Sequence, residues 1–239
     1  MKLLLGSGGI RTKERLAAWL SELRTLVDAS APVLFVPYAL QDQDGYEKRV
    51  KEMLKPIGVR VESIHHARDP AAAVRAAKAV FVGGGNTFRL LATLYRHRLL
   101  GPIRDRVHRG AIYIGVSAGT NVACPTIMTT NDMPIVVPKS LAALGLVPFQ
   151  INAHYFAGPI HYRVGRRLIP YAGETRDDRI REFHEMNAIP VVALHEGAIL
   201  RIEDGRARLL GPRGGRIFRR GRRPRDVSPG ADLSRLLAR

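Results

Sequence analysis

The stretch AIYIGVSAGTNVACPT, residues 111–126, decides how this chain of 239 residues is read. The apolar run AIYIGV delivers Ser117 between Gly115 and Gly119, and a segment compatible with a helix follows. Gly115-Val116-Ser117-Ala118-Gly119 fits the pattern G-x-S-x-G, a tight strand-to-helix turn that holds its serine in a strained conformation. The hydroxyl then projects from the carboxyl edge of a sheet, beside N–H groups at the helix start that can hold an oxyanion. Glycine and serine are also ordinary turn residues, so the five-residue match alone is weak. The clean apolar strand before it supplies the context the motif needs, and Ser117 is a candidate nucleophile.

Working outward, short apolar runs alternate with helical patterns, the signature of a mostly parallel sheet with helices on both faces. KLLLG opens the chain as a strand, and RLAAWLSELRTLVD follows as an amphipathic helix carrying Trp19. PVLFVPYAL, residues 32–40, and VFVGGG read as further strands, with the helix GYEKRVKEMLKPIG ended by Pro56 and Gly58. DPAAAVRAAKA opens on Asp69 as N-cap and Pro70 at the first helical position. NTFRLLATLYRHRLLGPIRDRVHRG is expected to be helical with an interruption at Gly101-Pro102. Beyond residue 126, FQINAHYF is extended, ETRDDRIREFHEMN is a charged helix, and the remainder alternates strands with turns, including a hairpin at EDGRA. No repeat or linker is evident. One domain over 1–239 is expected, with a small antiparallel C-terminal extension whose basic part covers about 212–239.

Composition narrows the partners. The chain is 46% apolar and has no stretch of eighteen uncharged apolar residues, so no spanning helix is expected. The N-terminal apolar run is too short for a signal peptide. The lone Cys124 excludes an internal disulfide framework, and a cytoplasmic location is expected. Lys+Arg 38 against Asp+Glu 21 gives a net charge of +17, concentrated at RGGRIFRRGRRPR, residues 213–225. No zinc-finger spacing, RNA-binding aromatic motif or basic-zipper pattern accompanies that charge, so no specific nucleic-acid partner is expected.

A second glycine turn, VGGGNTF at residues 82–88, also ends a strand. It lacks a P-loop lysine and the spacing of a dinucleotide fingerprint. In an open α/β sheet both turns lie at the carboxyl edge, where ligands bind. The N–H groups of Gly85 and Ala118 are therefore candidate oxyanion donors. A serine needs a base and the base an orienting carboxylate. His65, His66, His97 and His108 read as surface or packing residues, and His161 and His184 as solvated. His154 in INAHYF and His195 in ALHEG each end an extended apolar segment. Two triads remain open: Ser117, Asp177 or Asp178, and His195; or Ser117, His154 and Glu196. No histidine pair has a ligand-like spacing with a carboxylate, so neither a metal nor another cofactor is expected.

The motifs VGGGNTF, YIGVSAGTNVACPTI, TTNDMPIV, PFQIN-x-H, GETRDDRI and L-x-EGA, in this order, resemble the peptidase E family of aspartyl dipeptidases over residues 33 to about 211. The resemblance implies a cytoplasmic serine exopeptidase, working as a homodimer on small peptides with an N-terminal aspartate. It also implies a fold similar to the class I glutamine amidotransferases. Carried over by position, the nucleophile falls on Ser117, the base on His154 and the acid on Glu196, with Gly85 and Ala118 as oxyanion hole. Asp132 would face the substrate ammonium, Arg176 its aspartyl side chain, and Asn86 a further substrate contact. The sequence departs from the family at Met128, where arginine is frequent, at His195, where proline is usual, and in the longer segment between His154 and Arg176. A cyanophycinase-like specificity, another serine hydrolase or esterase, and a polyanion-binding protein on a decayed peptidase scaffold are the alternatives.

Overall fold

Four- and five-residue apolar strands with no exposed face require cover on both sides, and the computed structural model provides it. It describes residues 1–8, 12–158, 160–170 and 172–238. The central sheet contains β1 (Lys2–Gly6), β2 (Val33–Val36), β3 (Val61–Ser63), β4 (Ala79–Val82) and β5 (Ile112–Val116), all parallel. Alternate residues of one strand point to opposite faces. Leu3, Leu5, Leu34, Val36, Val80 and Val82 enter one buried core, whereas Leu4, Val33, Phe35, Ala79 and Phe81 enter the other.

On the second face lie α1 (Lys13–Leu26), which contributes Trp19 and Leu23, and α2 (Gln43–Leu54), which contributes Val50 and Leu54. On the first face lie α3 (Pro70–Ala76), α4 (Thr87–Arg96) and α5 (Leu100–His108). Leu90, Leu94, Ile103 and Val107 of that layer are fully buried, each contributing about 1.5–3 kcal/mol. Asp69 caps α3 as expected, accepting the Ala72 N–H at 2.9 Å. The break between α4 and α5 falls earlier than the sequence suggests. Arg98 takes a left-handed φ of 54° there, while Pro102 sits in the first turn of α5, where a missing N–H costs nothing.

The antiparallel C-terminal strands are shared between two sheets. After β6 (Gln150–Tyr155), the hairpin of β7 (His161–Val164) and β8 (Arg167–Pro170), and α7 (Arg176–Met186), the chain runs through β9 (Val191–His195). Strands β10 (Ile199–Glu203) and β11 (Arg206–Leu210) form the expected hairpin, with φ of 51° at Asp204 and 75° at Gly205. They join the central sheet beside β1, giving the order β11-β10-β1-β5-β4-β2-β3. The basic segment supplies β12 (Gly215–Phe218) and β13 (Arg225–Val227), which complete a second sheet of order β13-β12-β9-β6. Ile151, Val192, Leu194 and Ile217 turn one face of that sheet toward the main core, while Val191, Ala193 and Phe218 pack with Ile180 of α7. No described helix is long and apolar enough to cross a membrane.

Candidate active site

The strand order gathers the glycine turns. Because β5 lies between β1 and β4, the segments leaving these strands meet at one edge. Ser117 follows β5 and opens the short helix α6 (Ala118–Asn121), with φ 55° and ψ −110°. Its carbonyl accepts the N–H groups of Thr120 and Asn121, both at 2.9 Å, which fixes the elbow. Gly119 is required by packing: a Cβ there would lie 2.0 Å from the Val82 carbonyl oxygen. Gly85 has φ +138°, and a Cβ would lie 2.6 Å from the Ala39 carbonyl oxygen. Among the described residues, no hydrogen bond engages the N–H of Gly85 or of Ala118.

His154 reaches the serine from the second sheet. The register of β6 against β9 shifts between Asn152 and Tyr155, and the bulge leaves His154 with φ 57°. A bulge of this kind re-aims one side chain. The His154 N–H donates to Ser7 Oγ at 2.8 Å, and the Ser7 hydroxyl donates to the Leu194 carbonyl at 2.9 Å, pinning the bulge to the end of β1. His154 Nε2 lies 2.7 Å from Ser117 Oγ. On the other side of the ring, Nδ1 is hydrogen-bonded to Glu196 Oε1. Glu196 follows β9 directly and turns back through Gly197, which has φ +88°. Its Oε2 is buried with no partner among the described residues.

The structure does not assemble the alternative triad. Asp177 accepts the Tyr155 hydroxyl at 2.5 Å and Arg216 at 2.9 Å, and Asp178 caps α7 through Thr175. The His195 ring packs on Tyr155 at 5.1 Å between centroids. His184, expected to be solvated, is buried, with Nε2 at 3.1 Å from the Ile189 carbonyl. Burial pushes the Cys124 thiol up to about 12, so it carries no thiolate at neutral pH.

Ser117, His154, Glu196, Gly85 and Asp132 line one cleft of about 1050 Å³, together with Gly8, Arg15 and Tyr46. Asp132 stands at the start of α4, where its carboxylate accepts the Thr87 N–H at 2.7 Å and the Thr87 hydroxyl at 2.5 Å. Asn86 is not among the lining residues. Its oxygen caps α4 through the Arg89 N–H at 3.0 Å, and its amide donates to the Met133 carbonyl at 2.9 Å. Arg176 is also absent from the cleft wall. Its guanidinium lies 5.7 Å over the Phe156 ring, with Nε buried and unpartnered among the described residues. Burial, and then the neighbouring Arg179, lowers its pKa. Phe156 lines a second cavity of about 500 Å³ that shares Arg15 and Glu196 with the cleft.

Sequence reading missed Ser7, Gly8 and Tyr46. A Cβ on Gly8 would lie 2.5 Å from His154 Cε1, and the Tyr46 hydroxyl accepts the Gly84 N–H at 2.8 Å. The signal for the first two was present in GSGG, directly after the first strand. Tyr46 gave none, because its role depends on how α2 lies across the sheet.

Comparison with known proteins gives the family. The model of Peptidase family S51 matches residues 2–210. The chain is 47% identical to a protein named Peptidase E from Streptomyces coelicolor, over 98% of this chain and 94% of that one. It is 48% identical to a protein named "Probable alpha-aspartyl dipeptidase" from Drosophila melanogaster, over 86% of this chain and 83% of that one. A crystal structure of a peptidase from an acI-B1 Actinobacterium superposes with a TM-score of 0.68 at 16% identity, covering 97% and 96% of the two chains, and so shares the fold. A family match across most of the chain and near-half identity to such relatives leave one assignment: the chain belongs to peptidase family S51 and is an enzyme of the dipeptidase type.

Proposed function

We propose that the protein hydrolyses dipeptides with an N-terminal aspartate through an acyl-enzyme, with Ser117 as nucleophile. The observation that carries this reading is the chain Ser117–His154–Glu196, with Oγ 2.7 Å from Nε2 and the carboxylate on Nδ1. His154 takes the serine proton as Oγ attacks the peptide carbonyl, then gives it to the leaving amine. In the second half it draws a proton from water, which attacks the ester. Glu196 holds the imidazole in the tautomer with Nδ1–H and stabilises the cation that forms. The N–H groups of Gly85 and Ala118 hold the oxyanion, in a site where such donors contribute about 2.7–4 kcal/mol each.

Substrate choice rests on two charges. Asp132 lines the same cleft as Ser117 and pairs with the α-ammonium, which a longer peptide presents only at its terminus. Arg176 is a half-buried cation whose Nε lacks a partner among the described residues. A guanidinium forks onto a carboxylate with two hydrogen bonds, so the aspartyl side chain is its match. Asn86 acts on the substrate only through α4, which it caps.

Turnover of Asp-Leu and Asn-Leu by wild type, Ser117→Ala, His154→Ala and Arg176→Ala tests the reading. Ser117→Ala and His154→Ala are expected to lower kcat/KM by at least about 10³-fold. Arg176→Ala is expected to cost Asp-Leu far more than Asn-Leu, because an unpaired buried charge is what the site discriminates by. Equal turnover of the two dipeptides by wild type would remove the aspartyl reading and leave a general serine dipeptidase.

A further inference from the structure

A second cluster of chemistry-bearing side chains lies outside the cleft. Asp44 and Glu47, three residues apart on α2, face His65 and His66 in the single 3-10 turn that follows β3. One donor atom from each of the four falls within 4.8 Å of all the others. His65 Nε2 is 2.9 Å from Asp44 Oδ1, and His66 Nε2 is 2.9 Å from Glu47 Oε2 and 3.5 Å from Asp44 Oδ1. The two imidazole rings lie 3.8 Å apart between centroids. We propose that Asp44, Glu47, His65 and His66 bind one divalent ion of the zinc class, fastening α2 to the turn after β3.

Three features carry the proposal. The first is the spacing. Donors about 2.0–2.1 Å from a tetrahedral ion are about 3.3–3.4 Å from one another. The separations of 2.9 and 3.5 Å bracket that value and every pair lies within 4.8 Å, so side-chain movements of up to about an ångström gather the four donors around an ion. The second is the donor set. Two imidazoles with two carboxylates suit zinc rather than calcium or magnesium, which take oxygen alone. Lys51 holds the other Glu47 oxygen at 2.8 Å, which orients Oε2 toward the cluster.

The third feature is the support behind His65. Ser63 Oγ lies 2.6 Å from His65 Nδ1 and 3.4 Å from the Phe35 carbonyl oxygen. With the hydroxyl donating to that carbonyl, His65 Nδ1–H donates to Ser63, and the Nε2 lone pair points at the Asp44 carboxylate. That tautomer leaves Nε2 free to ligate an ion held by the carboxylate. An ion accepts all four lone pairs at once, and a partner of this kind on the outer nitrogen is the usual support of a metal-bound histidine. The site adjoins the cleft wall, because Tyr46 lies between Asp44 and Glu47 on α2 and holds the Gly84 N–H.

The test is titration of the metal-free full-length protein with Zn²⁺ by calorimetry and with Co²⁺ by visible absorption. One ion per chain is expected, with the intense absorption of four-coordinate Co²⁺, displaced by Zn²⁺. At a hundred-fold excess over Kd, Zn²⁺ is expected to raise Tm by about 5–10 °C. The double variant His65→Gln/His66→Gln should lose the spectrum and the Tm shift, and Ser63→Ala should weaken binding about 10–100-fold. Asp44→Asn, at an exposed position, provides the same test should the double variant fail to fold, and circular dichroism verifies each fold. Absence of saturable binding overturns the proposal, as does binding unchanged in a folded variant.

Discussion

At the scale of single residues, the site stands on backbone conformations that only a few residue types tolerate. Ser117 has φ 55°, ψ −110°, and His154 has φ 57°, both in the region where a Cβ is strained. Such strain costs about 1–3 kcal/mol per residue. Ser117→Ala removes the hydroxyl but keeps the Cβ, whereas Ser117→Gly removes both. Glycine loses about 0.5–1 kcal/mol through its freer unfolded chain, so relief of the strain should prevail. Urea unfolding is expected to find Ser117→Gly more stable than Ser117→Ala by about 1 kcal/mol, with both inactive. The opposite order would show that the elbow is unstrained. The serine was legible because G-x-S-x-G and its strand are contiguous. The residues alone left two candidate bases: His154 and His195 both end apolar strands, and what brings His154 to the serine is a bulge pinned by Ser7 from the other end of the chain.

At the scale of elements, α7 shows how a cap can govern the residue proposed to bind the aspartyl side chain. Thr175 Oγ accepts the Asp178 N–H at 3.2 Å, and the Asp178 carboxylate accepts the Thr175 N–H at 2.8 Å, a complete capping box. Arg176 is the first residue inside it. Thr175→Ala should cost about 0.5–2 kcal/mol of stability and loosen the first turn. We expect a several-fold loss of kcat/KM on Asp-Leu, read by initial rates, with less effect on Asn-Leu. Equal losses on both would detach Arg176 from substrate choice. Helices such as this one were legible from caps and periodicity, and the parallel strands from their apolar runs. The sheet to which each C-terminal strand belongs was not, since β10 and β12 have similar alternation but join different sheets. The cluster of Asp44, Glu47, His65 and His66 was equally hidden. No local spacing links positions some twenty residues apart on α2 and after β3.

At the scale of the whole molecule, the net charge of +17 acts on whatever approaches the cleft. Several of the cations are already neutralised locally: Arg216 lies between Asp177 and Asp226, and Arg201 between Glu22 and Glu203. Those pairs hold the fold, and the remaining excess of arginine and lysine forms the long-range field. Asp-Leu carries two carboxylates and one ammonium, hence a net charge of about −1, whereas Asn-Leu is close to neutral. A cationic surface raises the local concentration of the first and not of the second. Salt separates this field from the contact with Arg176, because screening over about 10 Å at 0.1 M removes distant charge but spares a desolvated pair. Raising ionic strength from about 0.02 M to about 0.5 M is therefore expected to lower kcat/KM for Asp-Leu several-fold and to leave Asn-Leu nearly unchanged. Arg176→Ala should keep the salt dependence while losing the preference for aspartate. If wild-type rates on Asp-Leu are flat with salt, the basic surface takes no part in capture, and selectivity lies wholly in the cleft.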